Sequence, residues 1–130
     1  MDAKNNITFI LNPKSGNHGK NDIPDMIAET LDKTKFEYQV KFTEYAGHAS
    51  EIARQCVDEN IDVVVAVGGD GTVNEVARSL VHSRTALGII PCGSGNGLAR
   101  HLSIPIDIKK SIDIINRYHI HTFAHGGTPE

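Results

Sequence analysis

Val63-Val64-Val65-Ala66-Val67-Gly68-Gly69-Asp70-Gly71-Thr72-Val73-Asn74-Glu75 changes its hydrophobic rhythm twice within a few residues. Val63 to Val67 is uninterrupted and apolar, which is the pattern of a parallel strand covered on both faces in the middle of a sheet. Gly68 to Gly71 breaks the run, and Val73, Val76, Ala77, Leu80 and Val81 then take up helical spacing. The stretch therefore reads as a strand, a glycine turn and a helix in immediate succession.

The same alternation extends in both directions. Downstream, Ala86 to Ile90 is a second apolar strand, Pro91 to Gly97 a second glycine-rich turn, and Asp107 to Asn116 a helix with Ile108, Ile112 and Ile115 inward. Upstream, Ala49, Ile52, Ala53, Cys56 and Val57 predict an amphipathic helix ending near Asn60. Phe36, Tyr38, Val40 and Phe42 alternate with polar residues, as in a strand with one buried face. Before them, Ile23, Met26, Ile27, Thr30 and Leu31 predict a first helix with Asp22 as its N-cap, and Ile7 to Leu11 a first strand that stops at Asn12-Pro13. A βαβαβαβ order predicts an α/β fold with a doubly wound, mainly parallel sheet and helices on both faces. Tyr118 to Phe123 reads as the start of one more strand, followed by a tail with nothing to pack, so the chain is expected to stop within a longer fold.

Composition sets bounds on function. The 130 residues, 39% of them hydrophobic, suffice for the core of one domain without disulfides or structural metal. A formal net charge of −3 gives no general attraction to nucleic acid or anionic lipid, so any bound anion has to be held locally. The two cysteines, Cys56 and Cys92, stand in no metal-ligand spacing. No signal-peptide region and no membrane-spanning run is seen, and a soluble, cytoplasmic chain is expected.

In open α/β sheets the ligand crevice lies beyond the carboxyl ends of the strands, where loops lead into helix N-termini. Three polar loops converge there: Asn12-Pro13-Lys14-Ser15-Gly16, Gly68 to Asn74, and Gly93-Ser94-Gly95-Asn96-Gly97. Glycine lets backbone N–H groups approach an anion, which suits phosphate. Thr72 is placed to cap the helix or to donate to a phosphate oxygen, Asn74 and Glu75 follow near the same mouth, and Lys14 and Lys20 can neutralise charge. A single glycine cluster is as readily a tight turn, whereas three in one small domain favour a ligand. Neither the P-loop nor the dinucleotide spacing is present. Asp70 is read from its position alone either as a helix N-cap or as a carboxylate that orients a nucleophile in phosphoryl transfer.

These three motifs, Asn12 to Gly16, Val67 to Glu75, and Pro91-Cys92-Gly93-Ser94-Gly95-Asn96-Gly97-Leu98-Ala99-Arg100, resemble the catalytic domain of diacylglycerol and sphingosine kinases, and the likeness covers nearly the whole chain. Gly-Gly-Asp-Gly-Thr also occurs in NAD kinases, and the third motif separates the lipid kinases from these. The resemblance implies a nucleotide-binding N-terminal domain over residues 1–130, with a β-rich lipid-binding second domain outside the chain. It implies nucleotide contacts from Asn12, Pro13, Lys14, Ser15, Gly16, Thr43, Gly68, Gly69, Asp70, Gly71, Thr72, Val73, Asn74, Gly93, Ser94, Gly95 and Asn96, and Asp70 as base or orienter. Many relatives have Thr at Ser94, and many bacterial ones have Asn-Asp where this chain has Asn96-Gly97, which is closer to the sphingosine-kinase-like or broader-specificity branches. The function implied is transfer of the γ-phosphoryl group of ATP, with Mg2+, to a lipid hydroxyl of diacylglycerol or a sphingoid base. The fragment by itself is expected to be inactive, with peripheral membrane contact through the missing domain and no nucleic-acid partner. An NAD-kinase-like soluble phosphotransferase and a non-catalytic nucleotide-binding module are the alternatives.

Other residues read as structural. His119, His121 and His125 lack acidic or thiol ligands at coordinating spacing, and His48 reads as a loop residue beside the nucleotide. Cys92 reads as a small buried hydrophobe. Lys109, Lys110 and Arg117 read as a solvated face, and Arg78, Arg100 and His101 are treated alike.

Overall fold

Every residue of Val63–Gly68 is buried, as the uninterrupted apolar pattern requires of an interior strand. In the computed structural model, which describes residues 4–13, 22–91 and 108–117, this strand is β3. The order is β1 (Asn5–Leu11), α1 (Asp22–Thr30), β2 (Phe36–Phe42), α2 (His48–Asp58), β3, α3 (Asp70–Leu80), β4 (Ala86–Pro91) and α4 (Ile108–Asn116). The described strands form one sheet in the order β2-β1-β3-β4, and every pairing is parallel.

The two faces follow from strand alternation. Ile7, Phe9 and Leu11 of β1 and Val63, Val65 and Val67 of β3 point to one face, where Ile23 and Ile27 of α1 and Ile108, Ile112 and Ile115 of α4 cover them. Ile10, Val64 and Ala66 point to the other, beneath Ala49, Ile52, Ala53 and Cys56 of α2 and Val73, Val76 and Leu80 of α3. The chain runs outward from β1 to β2 in one direction and from β3 to β4 in the other. Parallel crossovers are right-handed, so α1 and α3 fall on opposite faces and the winding reverses between β1 and β3. The doubly wound α/β fold read from the sequence is the one found.

Element limits shift by a residue or two. β1 begins at Asn5, because its amide donates to the Lys35 carbonyl at 2.9 Å and pairing with β2 starts there. β4 runs on to Pro91, which stands opposite Gly68. α2 stops at Asp58, and Asn60 then turns the chain with φ 60°. Asp22 opens α1 from within and is not a residue preceding it, and α4 starts at Ile108. β2 buries Phe36 fully, but burial fades along the strand until Phe42 is 45% exposed. The expected strand over 118–123 lies outside the described residues.

Candidate functional site at the carboxyl ends of the strands

The sheet's ladder continues past the strand ends and fixes the first residue of two loops. The Asn12 amide donates to the Val67 carbonyl at 3.2 Å, and the Thr43 amide donates to the Leu11 carbonyl at 2.9 Å. Asn12 is thereby held at the point where the winding reverses, which is where open α/β sheets carry their ligands. Its side-chain Nδ2 donates to the hydroxyl of Thr72 at 3.5 Å, joining the loop after β1 to the first turn of α3.

That first turn is built to present backbone. Gly69, in extended conformation (φ −90°, ψ −168°), is the N-cap and has no side chain with which to cap; Val73 closes the first helical bond by donating to its carbonyl at 3.1 Å. Asp70 is the first helical residue, so the N-cap reading of this aspartate is replaced by Gly69, and its carboxylate sits where the helix dipole favours negative charge. A Cβ built at Gly69 or at Gly71 meets nothing within 4 Å, and neither residue has a left-handed backbone. Glycine suits the N-cap at Gly69, but at Gly71, inside the helix, it is demanded by neither packing nor backbone and costs about 1 kcal/mol against alanine. The open space beside both residues is a cradle that a Cβ would narrow.

A cleft of about 300 Å³ opens beside this turn. Asn12 and Pro13 form one wall, Gly71, Thr72 and Glu75 of α3 a second, and Thr43 to Ala46 with Ala49 a third. The structure thus brings together Asn12, Pro13, Thr43, Gly71 and Thr72 from the sequence reading. Thr72 is 7% exposed and Gly68 is buried at the end of β3. Asn74 points outward on α3, and the Val73 side chain is in the core, leaving only its backbone near the turn. Lys14, Ser15, Gly16, Lys20, Cys92, Gly93, Ser94, Gly95, Asn96 and His119, His121 and His125 lie outside the described residues.

The third wall was largely missed by sequence reasoning. Tyr45, Ala46, Gly47 and His48 form a turn closed by the His48 amide on the Tyr45 carbonyl at 3.1 Å, with Gly47 at φ 88° and ψ −10°, the left-handed position that a type II turn reserves for glycine. The turn lays the Tyr45 ring on the His48 imidazole, with centroids 4.3 Å apart and planes 13° from parallel. Tyr45 Oη donates to Glu51 Oε1 at 2.7 Å, which pushes the phenol pKa above its usual value. His48 Nδ1 accepts from the Glu44 amide at 2.9 Å, so its proton is on Nε2. His48 itself is the first residue of α2, beside the cleft and not in a loop. Of this wall the sequence reading had named Thr43, as a contact implied by the resemblance, and His48 beside it; Tyr45 was not named.

Two carboxylates, Glu44 and Glu75, line the cleft, and no lysine or arginine is among its described lining residues. Among the described residues no three side chains of metal-ligating type cluster. The Ser50 hydroxyl donates to the Glu75 carbonyl at 3.3 Å and ties α2 to α3 behind the site. Elsewhere, Lys109 pairs with Glu29 at 3.7 Å and Arg117 with Asp113 at 2.6 Å, both solvent-exposed, as expected of a solvated face.

The fold is a doubly wound α/β domain with a glycine turn and a cleft at its switch point. Residues 6–127 match the family model for the diacylglycerol kinase catalytic domain, and the chain belongs to that family. A diacylglycerol kinase of Staphylococcus saprophyticus is 40% identical over 115 residues, covering 86% of this chain and 37% of the relative. One from Staphylococcus aureus is 40% identical over 114 residues, covering 85% of this chain and 36% of the relative. A crystal structure of a diacylglycerol kinase from Bacillus anthracis superposes with a TM-score of 0.79 at 27% identity, covering 92% of this chain and 42% of that one. The chain therefore spans little more than a third of the length of these curated relatives. No described helix is long and apolar enough to cross a membrane.

Proposed function

We propose that this chain is the nucleotide-binding part of a lipid kinase that moves the γ-phosphoryl group of ATP to a lipid hydroxyl, with diacylglycerol or a sphingoid base as the acceptor class. The observation that carries the reading is Gly71, a glycine that the protein's own packing does not require, which lines the cleft in the first turn of α3. Backbone N–H groups of that turn, with Asn12 and Thr72, hold the phosphates; Asp70 orients the acceptor hydroxyl and takes up its proton as the P–O bond to the acceptor forms and ADP leaves.

The acidic lining fits a divalent cation brought with the nucleotide. Polyphosphate beside Glu44 and Glu75, with no basic residue among the described lining, needs a counter-charge. Magnesium meets that need typically by binding phosphate oxygens, water and one or two carboxylates, and a dedicated protein cage is not required. When bound, the ion neutralises charge on the transferring phosphoryl group. The lipid acceptor binds between this part and the remainder of a longer protein, at a cytoplasmic membrane surface.

Calorimetric titration with ATP and Mg2+, alongside Gly71→Val, tests the reading. Saturable binding by the parent chain that is lost in the correctly folded variant is the expected result. Equal binding by both would overturn the assignment of the phosphates to this turn. In the longer protein, Asp70→Asn should abolish phosphoryl transfer while nucleotide binding persists; retained transfer would remove Asp70 from the chemistry.

A further inference from the structure

The phosphate cradle occupies one side of the cleft, and the opposite side presents an aromatic ring that no fold requirement explains. Tyr45 is 54% exposed, an unusual position for a large ring that nonetheless has both its orientation and its backing fixed. The turn through Gly47 sets its backbone, His48 covers one ring face at 4.3 Å, and Glu51 accepts from its hydroxyl at 2.7 Å. Among the described residues its one ring contact is with His48. A ring held so, at the wall of a cleft, is a prepared surface for another planar group.

We propose that Tyr45, backed by His48, is the platform on which the nucleobase of the bound nucleotide stacks. This rests on the reading of the glycine turn as the phosphate site: with the phosphates at Gly71 and Thr72, the base has to lie elsewhere along the same cleft, and Tyr45 is its aromatic wall. The charge there favours a neutral base over an anionic headgroup, because Glu51, which accepts from the Tyr45 hydroxyl, would repel a second phosphate. Stacking needs no hydrogen-bond readout, so the platform supplies affinity more than choice among bases. Fixing the ring in advance lowers the ordering cost on binding. The Glu44 amide bond to Nδ1 fixes the plane of His48 and so the plane of the stack.

The test compares Mg2+-ATP with Mg2+-tripolyphosphate, which keeps the phosphates and lacks the base, by calorimetry on the parent chain, Tyr45→Leu and Tyr45→Trp. A base–aromatic stack contributes about 1–3 kcal/mol, so Tyr45→Leu should weaken Mg2+-ATP by roughly 5- to 150-fold and leave tripolyphosphate unchanged, while Tyr45→Trp holds or tightens ATP. The protein has three tyrosines and no tryptophan, so tyrosine emission gives a second readout. ATP should quench it in the parent chain more than tripolyphosphate does, and that difference should vanish in Tyr45→Leu. Unchanged ATP affinity in Tyr45→Leu overturns the platform. An equal loss for both ligands overturns it too, because the residue would then act on the shape of the loop. Failure of the parent chain to bind either ligand overturns the phosphate reading, and the platform with it.

Discussion

The two ends of the sheet are lined differently. At the amino end polar groups are satisfied within the protein: Asp62 Oδ2 accepts from the Asn6 amide at 2.8 Å, Thr85 Oγ1 donates to the Ile61 carbonyl at 2.9 Å, and the Ala86 amide donates to the Asp62 carbonyl at 2.9 Å. Asn116 at the end of α4 donates from Nδ2 to the Thr30 carbonyl at 2.8 Å and accepts from the Asp32 amide at 2.7 Å, while Lys35 Nζ donates to its backbone carbonyl. At the carboxyl end, Asn12 and Thr72 share one long bond of 3.5 Å and the neighbouring glycines face open space. Volume does not separate the ends, since the amino end has a hollow of about 420 Å³ beside His82 and Thr85. What separates them is the lining: glycines that face open space at the carboxyl end, and hydrogen-bonded turns that close the amino end.

The largest effect expected from this contrast is at the closed end. Asn116→Ala removes two partly buried hydrogen bonds and strands a carbonyl and an amide, a loss of roughly 2–3 kcal/mol. Thermal unfolding should fall by on the order of 10 °C. Calorimetry should find Mg2+-ATP affinity unchanged, and a parallel loss of binding would break the division of labour between the ends.

Two glycines sharpen it further. A Cβ at Gly88 in β4 would stand 3.1 Å from Val65 Cγ2 and 3.7 Å from Ile115 Cδ1, so Gly88→Ala should destabilise by about 1–2 kcal/mol through overpacking, with no effect on ligand binding. Gly71→Ala should do the reverse. It should stabilise the fold by a few tenths to about 1 kcal/mol, because alanine favours helix and meets nothing, and it should weaken Mg2+-ATP because the new methyl intrudes on the cradle. Denaturant unfolding read beside calorimetry gives both signs, and a Gly71→Ala protein that is stabilised and binds normally would make that glycine incidental.

The same contrast explains what the sequence made legible. Burial imposes period, so β3, α2, α3 and the two faces of the sheet could be read from Val, Ile and Leu spacing alone. The glycine turn at 68–71 was legible as the break between β3 and α3 because glycine there had no periodic role. Tyr45 was not legible, because an exposed aromatic in a short connection has no period and its placement depends on Gly47 turning the chain so that the ring reaches His48. Of the two readings open for Asp70, the N-cap one falls by a single residue: Asp is a good cap by propensity, but the extended backbone that a cap needs fell to Gly69.

The smallest effect lies in the turn after α1, where Asp32 Oδ1 accepts from the Thr34 hydroxyl and from the Thr34 amide at 3.0 Å. These bonds, the hydroxyl first, hold the Asp32 carboxyl below the ordinary value of 3.8, with Lys35 adding to the shift. A carboxyl whose folded pKa lies below its unfolded pKa stabilises the fold above the unfolded value and loses that contribution as pH falls through the folded one. Acid should therefore loosen this turn only below about pH 4. Thr34→Val removes the hydroxyl and keeps the amide, so the carboxyl should titrate closer to 3.8 by NMR, with the same backbone fold. Because the turn belongs to the closed end, ATP affinity at neutral pH should not change. A shift in that affinity would connect the two ends of the sheet, and an unmoved pKa would assign the lowering to the Thr34 amide and Lys35 without the hydroxyl.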